Sequence, residues 1–357
     1  MRKSIIKVVT SFIIIMLYAS CSTEIDMNGP KKETIVTYAI LDASKPTQYI
    51  KVNRAFLGEG NSLEYAKIPD STLFPYLLKM KVEIIDANNK VIKVYDNYTN
   101  FNIDTAMIYK EGTDFFSGLQ QYYKFDLSPT KETTSDDTLY LSSDYRYKLY
   151  IEDPVKNTSC ESEISGLSKI TLESPSTNAI SGYPLIGLIS DNTSLITMSS
   201  SKNAKIYEVK FIFYYSEENI NAPSTNVKKT VTWKLGSVVA EKMTSGQKIE
   251  LSYIPSSFYY FLGRSLKKDD NLKRFADKLQ IVITYADENL YIYTDLTSPS
   301  NSIIQERPLF TNISNGIGLF ACKASYKRFF RLNARSKDSL YYGRYTKDLN
   351  FTNQFEK

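Results

Sequence analysis

Beyond residue 33 the chain is written with a period of two. The run Tyr145-Arg146-Tyr147-Lys148-Leu149-Tyr150-Ile151-Glu152 changes between apolar and polar at nearly every step. Two further β-rich runs, Thr34 to Leu41 and Gln48 to Phe56, flank a turn, Asp42 to Thr47, that holds Pro46. Such alternation gives a strand one dry face and one wet face, which a helix cannot use. With 28 Tyr and 18 Phe the chain is also rich in the aromatic residues that favour strands.

The spacing predicts further strands at Met80 to Asp86 and Lys90 to Tyr95, joined by Asn88-Asn89, then at Phe101 to Tyr109 and Tyr122 to Leu127. A short helix is predicted between Asn61 and Lys67. A boundary near residue 170 is expected, where Ser165 to Ser168 and then Glu173 to Asn178, poor in large apolar side chains, read as a linker into a second unit. There the expected strands are Leu185 to Ile189, Leu195 to Met198, Ile206 to Tyr215, Lys228 to Leu235, 248–253, and 279–285 in a hairpin with Leu290 to Tyr293. Pro255-Ser256-Ser257 opens a helix over Phe258 to Leu262, a second helical turn is expected from Asp269 to Ala276, and Ser336 to Gly343 reads as a capped turn. The expected fold is mainly β, two tandem immunoglobulin-like β-sandwich domains over residues 34–168 and 169–357, with one or two short helices in the second.

Residues 1–20 read as a lipoprotein signal peptide: Arg2, Lys3 and Lys7, an apolar run from Val8 through Leu17, then Ala19-Ser20 before Cys21. Cys21 is the expected acylation site, followed by a flexible tether over 21–33. Several acyl chains on one cysteine anchor a chain firmly, so the membrane is an expected partner through the lipid. Removal of the leader lowers the formal charge of +5 to +2. The remaining Lys and Arg are interspersed with Asp and Glu, so nucleic acid is not an expected partner.

The chain has no histidine, which excludes Ser-His-Asp triads, histidine bases and histidine-ligated metals. No catalytic residues, metal or cofactor are expected, and the protein is read as a binder rather than an enzyme. Cys160 and Cys322 lack a histidine base, and they fall in different expected domains, which weighs against a bridge. Asp136-Asp137 and Asp269-Asp270 read as solvated loop charges. The pairs Tyr122-Tyr123, Tyr214-Tyr215, Tyr259-Tyr260 and Tyr341-Tyr342 offer amphipathic faces for sugars or a protein partner, although in strands one of each pair belongs to the core.

Five segments carry a resemblance: Cys21 to Asp26, Tyr49 to Gly58, Tyr207 to Phe211, Phe258 to Gly263, and the motif Gln305-Glu306-Arg307-Pro308-Leu309-Phe310-Thr311-Asn312-Ile313-Ser314-Asn315-Gly316-Ile317-Gly318-Leu319-Phe320. Together they resemble an uncharacterised family of Bacteroidota outer-membrane and cell-surface lipoproteins. The acids at Glu24 and Asp26 resemble that phylum's surface-export signal. The resemblance implies an outer-membrane, lipid-anchored address on the cell surface or the periplasmic face, and a TonB-dependent outer-membrane transporter as a neighbour. It implies no activity. Physically, Asn315-Gly316 and Gly318 read as a tight turn packed over the end of the second sandwich.

Overall fold

A computed structural model describes residues 34–55, 68, 72–110, 118–128, 138–179, 181–297 and 309–352. The signal peptide, Cys21, the tether and the helix expected at Asn61 to Lys67 lie outside the described residues. Within them the protein is mainly β. The first half contains β1 (Thr34–Asp42), β2 (Thr47–Ala55), β3 (Lys79–Ile85), β4 (Val91–Asp96), β5 (Asp104–Lys110), β6 (Gly118–Asp126), β7 (Arg146–Asp153) and β8 (Thr158–Ser165). The second contains β9 (Leu172–Ser174), β10 (Leu185–Ile186), β11 (Ser194–Ser199), β12 (Ile206–Asn219), β13 (Ala222–Val239), β14 (Lys248–Tyr253), β15 (Leu272–Ala286) and β16 (Ile317–Leu332). Among the described residues three α-helices of nine or ten residues accompany them: α1 (Ser257–Ser265), α2 (Glu288–Thr297) and α3 (Ala334–Tyr342).

The strands form three sheets. A nine-stranded sheet runs β13-β12-β15-β16-β1-β2-β6-β5, with β10 attached to β16; β4-β3-β7-β8 and β14-β11-β9 are the smaller ones. The long sheet crosses the division expected at residue 168. β1 pairs with β16 in parallel, from Val36 opposite Ile317 to Asp42 opposite Lys323, so the first strand of one half adjoins the last strand of the other. The core is shared in the same way, because one contiguous cluster of buried side chains extends from Ile35 to Phe351.

The strands follow the period-two reading closely. In β7, Tyr147, Leu149 and Ile151 are buried and their neighbours are not; in β12 the same holds for Tyr207, Val209, Phe211, Phe213 and Tyr215. The β3–β4 turn is local chemistry, since Asp86 Oδ1 accepts from the amides of Asn88 and Lys90 while Asn89 takes φ 63°.

Four local expectations are corrected. Leu290 to Tyr293 belongs to α2, not to a hairpin strand: Asp287 Oδ1 accepts from Leu290 N and starts a helix. The stretch from Asp269 is a turn closed by Asp269 Oδ1 on Asn271 N, and β15 begins at Leu272 with Ala276 paired to Tyr215. The expected linker is packed structure: Leu167 within it is buried, as are Ile170 and Leu172 between its two stretches, and β9 runs into the second stretch. The glycine motif does not cap the second sandwich, because it leads directly into β16 beside β1. β16 is buried on both faces from Gly318 to Cys322, which erases the alternation that betrays a half-exposed strand. β8 went unpredicted for a related reason: its inward positions are Cys160, Ser162 and Ile164, a weak apolar signal.

Candidate functional site

Because the halves share a sheet, the places where they meet are built from distant stretches of chain. The clearest is a cavity of about 270 Å³ bounded by Thr138 and Leu139, by Lys169 to Leu172 with Thr177, and by Tyr285, Ser325 and Tyr326. Tyr285 and Ile283 face the core on β15, and Tyr326, opposite Ile283, turns to that same side of β16.

Each wall is held by identifiable bonds. Arg328 Nη2 donates to Thr177 O at 3.1 Å, tying the 169–177 segment to β16. Thr171 N donates to Ser199 Oγ at 2.7 Å, and Ser199 N returns a bond to Thr171 O at 2.9 Å. Ser325 N donates to Ser44 Oγ at 2.7 Å, and Ser44 Oγ donates to Ser325 O at 3.2 Å, so the β1–β2 turn braces the floor. Tyr285 is buried and stacks on Tyr207 with ring centroids 6.0 Å apart. Hydroxyls from threonine, serine and tyrosine, one lysine ammonium and an apolar floor of Leu139, Ile170 and Leu172 suit reversible capture of a small polar molecule.

None of these lining positions was legible as a site. Thr177 falls in a stretch read as linker and no strand was expected over Ser325 and Tyr326, and no motif connects stretches that the fold alone brings together.

The tyrosine pairs divide between core and surface, two through the strand pleat in β6 and β12 and two across helices α1 and α3. Tyr123, Tyr215, Tyr259 and Tyr341 are buried, whereas Tyr122, Tyr214, Tyr260 and Tyr342 are not. Tyr260 and Tyr342 stand exposed together with Tyr345, which the sequence reading did not single out. Cys160 and Cys322 are both buried and unbridged. Burial pushes the Cys160 thiol up to about 11, and burial with the nearby Asp287 and Asp42 carboxylates raises Cys322, so both thiols stay protonated near neutral pH. Asp269 is spent on turn and tail contacts and Asp270 is exposed, while Asp136-Asp137 lies outside the described residues.

Among the described residues no group of three or more Cys, Asp or Glu gathers to hold a metal, and no helix is long and apolar enough to cross a membrane. No protein-family model and no curated protein matches this chain. Among solved structures, trypsin-activated alpha-2-macroglobulin from Escherichia coli is similar at 8% identity with a TM-score of 0.18, over 88% of this chain and 25% of that one. The chain thus spans about a quarter of the length of that protein.

Proposed function

We propose that the protein is a lipid-anchored, non-catalytic binding component of an outer-membrane transport assembly, tethered through Cys21 and facing the cell surface. The observation that carries the binding role is the hydroxyl-lined cavity at the meeting of the two halves. The anchor rests on the leader that ends at Cys21, and the transporter partner rests on the family resemblance. In this reading the acyl chains hold the protein at the membrane, the shared sheet keeps the cavity walls in fixed register, and the cavity holds a polar ligand for uptake.

The test is mild-detergent extraction of a C-terminally tagged protein from its own cells, with mass spectrometry of the tagged chain and of what co-purifies. The expected result is acylated Cys21 and a TonB-dependent transporter at near-equal stoichiometry. An unacylated Cys21, or recovery of the lipoprotein alone, overturns the assembly role.

A second reading, a stand-alone adhesin or glycan-binding lipoprotein, is favoured by the exposed rings of Tyr260, Tyr342 and Tyr345.

A further inference from the structure

Three tyrosines near the junction of α1 with the segment after α3 are left in solvent: Tyr260 is 47% exposed, Tyr345 47% and Tyr342 75%. The positions of two of these rings, Tyr260 and Tyr345, are fixed by identifiable contacts. On α1 the neighbouring Tyr259 is buried, its hydroxyl donating to Ser336 O at 2.8 Å, which turns Tyr260 outward. Gly263, one turn on, has no side chain because the carbonyl oxygen of Tyr345 would lie 2.5 Å from a Cβ there. The backbone after α3 is held by Gly343 N and by the buried Thr346 Oγ1, which donate to Ser339 O at 3.0 and 2.9 Å. Tyr345 is thereby seated edge-to-face against Tyr260, with centroids 5.3 Å apart and planes at 81°.

Each of these two rings has an arginine beside it. Arg264 follows Tyr260 by one helical turn, donates through Nη1 to its phenol oxygen at 3.0 Å, and has its guanidinium 5.8 Å from the ring centroid, at the hydroxyl rim. Arg344 lies with its guanidinium 5.6 Å from the Tyr345 ring. Both arginines are exposed, and among the described residues no carboxylate pairs with either. A guanidinium left without an anion can donate two N–H groups to two oxygens of a carboxylate or of a sulfate group, and a tyrosine face matches the apolar face of a pyranose ring.

We infer that the Tyr260–Tyr345 pair with Arg264 and Arg344 binds acidic saccharides, chains whose pyranose rings carry carboxylate or sulfate groups. The inference rests on the glycan-binding reading above and narrows it from any glycan to an anionic one. Two arginines beside crossed rings present no continuous basic stripe of the kind a phosphate backbone requires.

The test uses the full-length protein in detergent and three probes of one format: neutral dextran, polygalacturonate and dextran sulfate, with single-stranded DNA of equal charge as a fourth. Binding to at least one acidic polymer and not to dextran is expected, and which of the two binds tells carboxylate from sulfate. Arg264→Gln with Arg344→Gln, and separately Tyr260→Ala with Tyr345→Ala, should each weaken that binding by about tenfold or more. The four side chains lie at the surface, so each double change should lower the melting temperature by no more than about a few degrees, the lost Tyr260–Tyr345 contact included. Dextran bound as well as the acidic polymers overturns the acidic preference and leaves the glycan reading standing; no saccharide bound overturns both. Equal retention of DNA, or loss on the arginine changes with none on the tyrosine changes, reduces the patch to a general polyanion surface and overturns the inference.

Discussion

At Gly318 the backbone takes φ 127°, and a Cβ there would lie 1.9 Å from the carbonyl oxygen of Thr37 on β1. Only glycine lets the two strands lie side by side at this point. Gly318→Ala is therefore expected to cost about 3 kcal/mol or more, read as a lowered midpoint in chemical denaturation; a near-neutral change would mean that β1 and β16 are not in contact there. Asp287 is the other residue with a defined cost. Its Oδ2 accepts from Cys322 N and its Oδ1 from Leu290 N, both at 2.9 Å, so one carboxylate starts α2 and pins it to β16. Burial nevertheless raises its pKa from 3.8 to about 6, with Glu288 adding to the rise and the two amides opposing it. A raised carboxyl pKa favours the folded state at low pH. Its contribution is complete below about pH 3.8 and is lost as the pH climbs through about 6, a difference of about 3 kcal/mol at most. Asp287→Asn should flatten this part of the stability profile: wild type minus variant, compared at pH 4.5 and pH 7.5, should change in the direction of lost wild-type stability at the higher pH. Parallel profiles would show that Asp287 titrates normally.

Among the elements, β16 and the C-terminal tail depend most on distant partners. The tail is clasped by Arg274 of β15, which is nearly inaccessible to solvent. Its Nε donates to Glu217 Oε1 at 2.9 Å, Nη1 to Leu349 O at 2.7 Å and Nη2 to Lys267 O at 2.9 Å, and its backbone exchanges bonds with Asn350 and Thr352. Lys229 completes the charge balance on Glu217, whose pKa is lowered by hydrogen bonds from Lys229 and Arg274 in spite of burial. Arg274→Met should cost about 3 kcal/mol or more, since Leu349 O and Lys267 O lose a charged donor and Glu217 keeps only its exposed partner. Hydrogen exchange at Thr352 should speed up in the variant, and unchanged protection would show that the tail is held without the arginine.

For the whole molecule the decisive pairing is β1 with β16. Expressed separately, 34–168 lacks the strand beside β1 and 169–357 lacks the strand beside the first part of β16, so each half should fail to fold on its own. Expressed together they should associate, and a cooperative thermal transition from either half alone would refute the shared core. Much of the molecule was nonetheless written locally. Period-two alternation marked β1 to β3, β7 and β12 because each has one buried and one more exposed face, and the Asp86 to Lys90 turn is closed by its own side chain. The tyrosine pairs split between core and surface through the pleat and the helical turn. The strand-rich class and most strand positions were thus legible locally, because they follow from local sterics and from which face meets water. Tertiary structure alone decided what no local pattern encodes. β16 is buried on both faces and so shows no period; Asp287-Glu288-Asn289 suits a hairpin turn and a helix start equally, until Cys322 N claims the second carboxylate oxygen. The cavity and the Tyr260–Tyr345 patch consist of residues far apart in sequence that only the folded chain brings together, because a packing partner distant along the chain leaves no trace in the neighbouring residues.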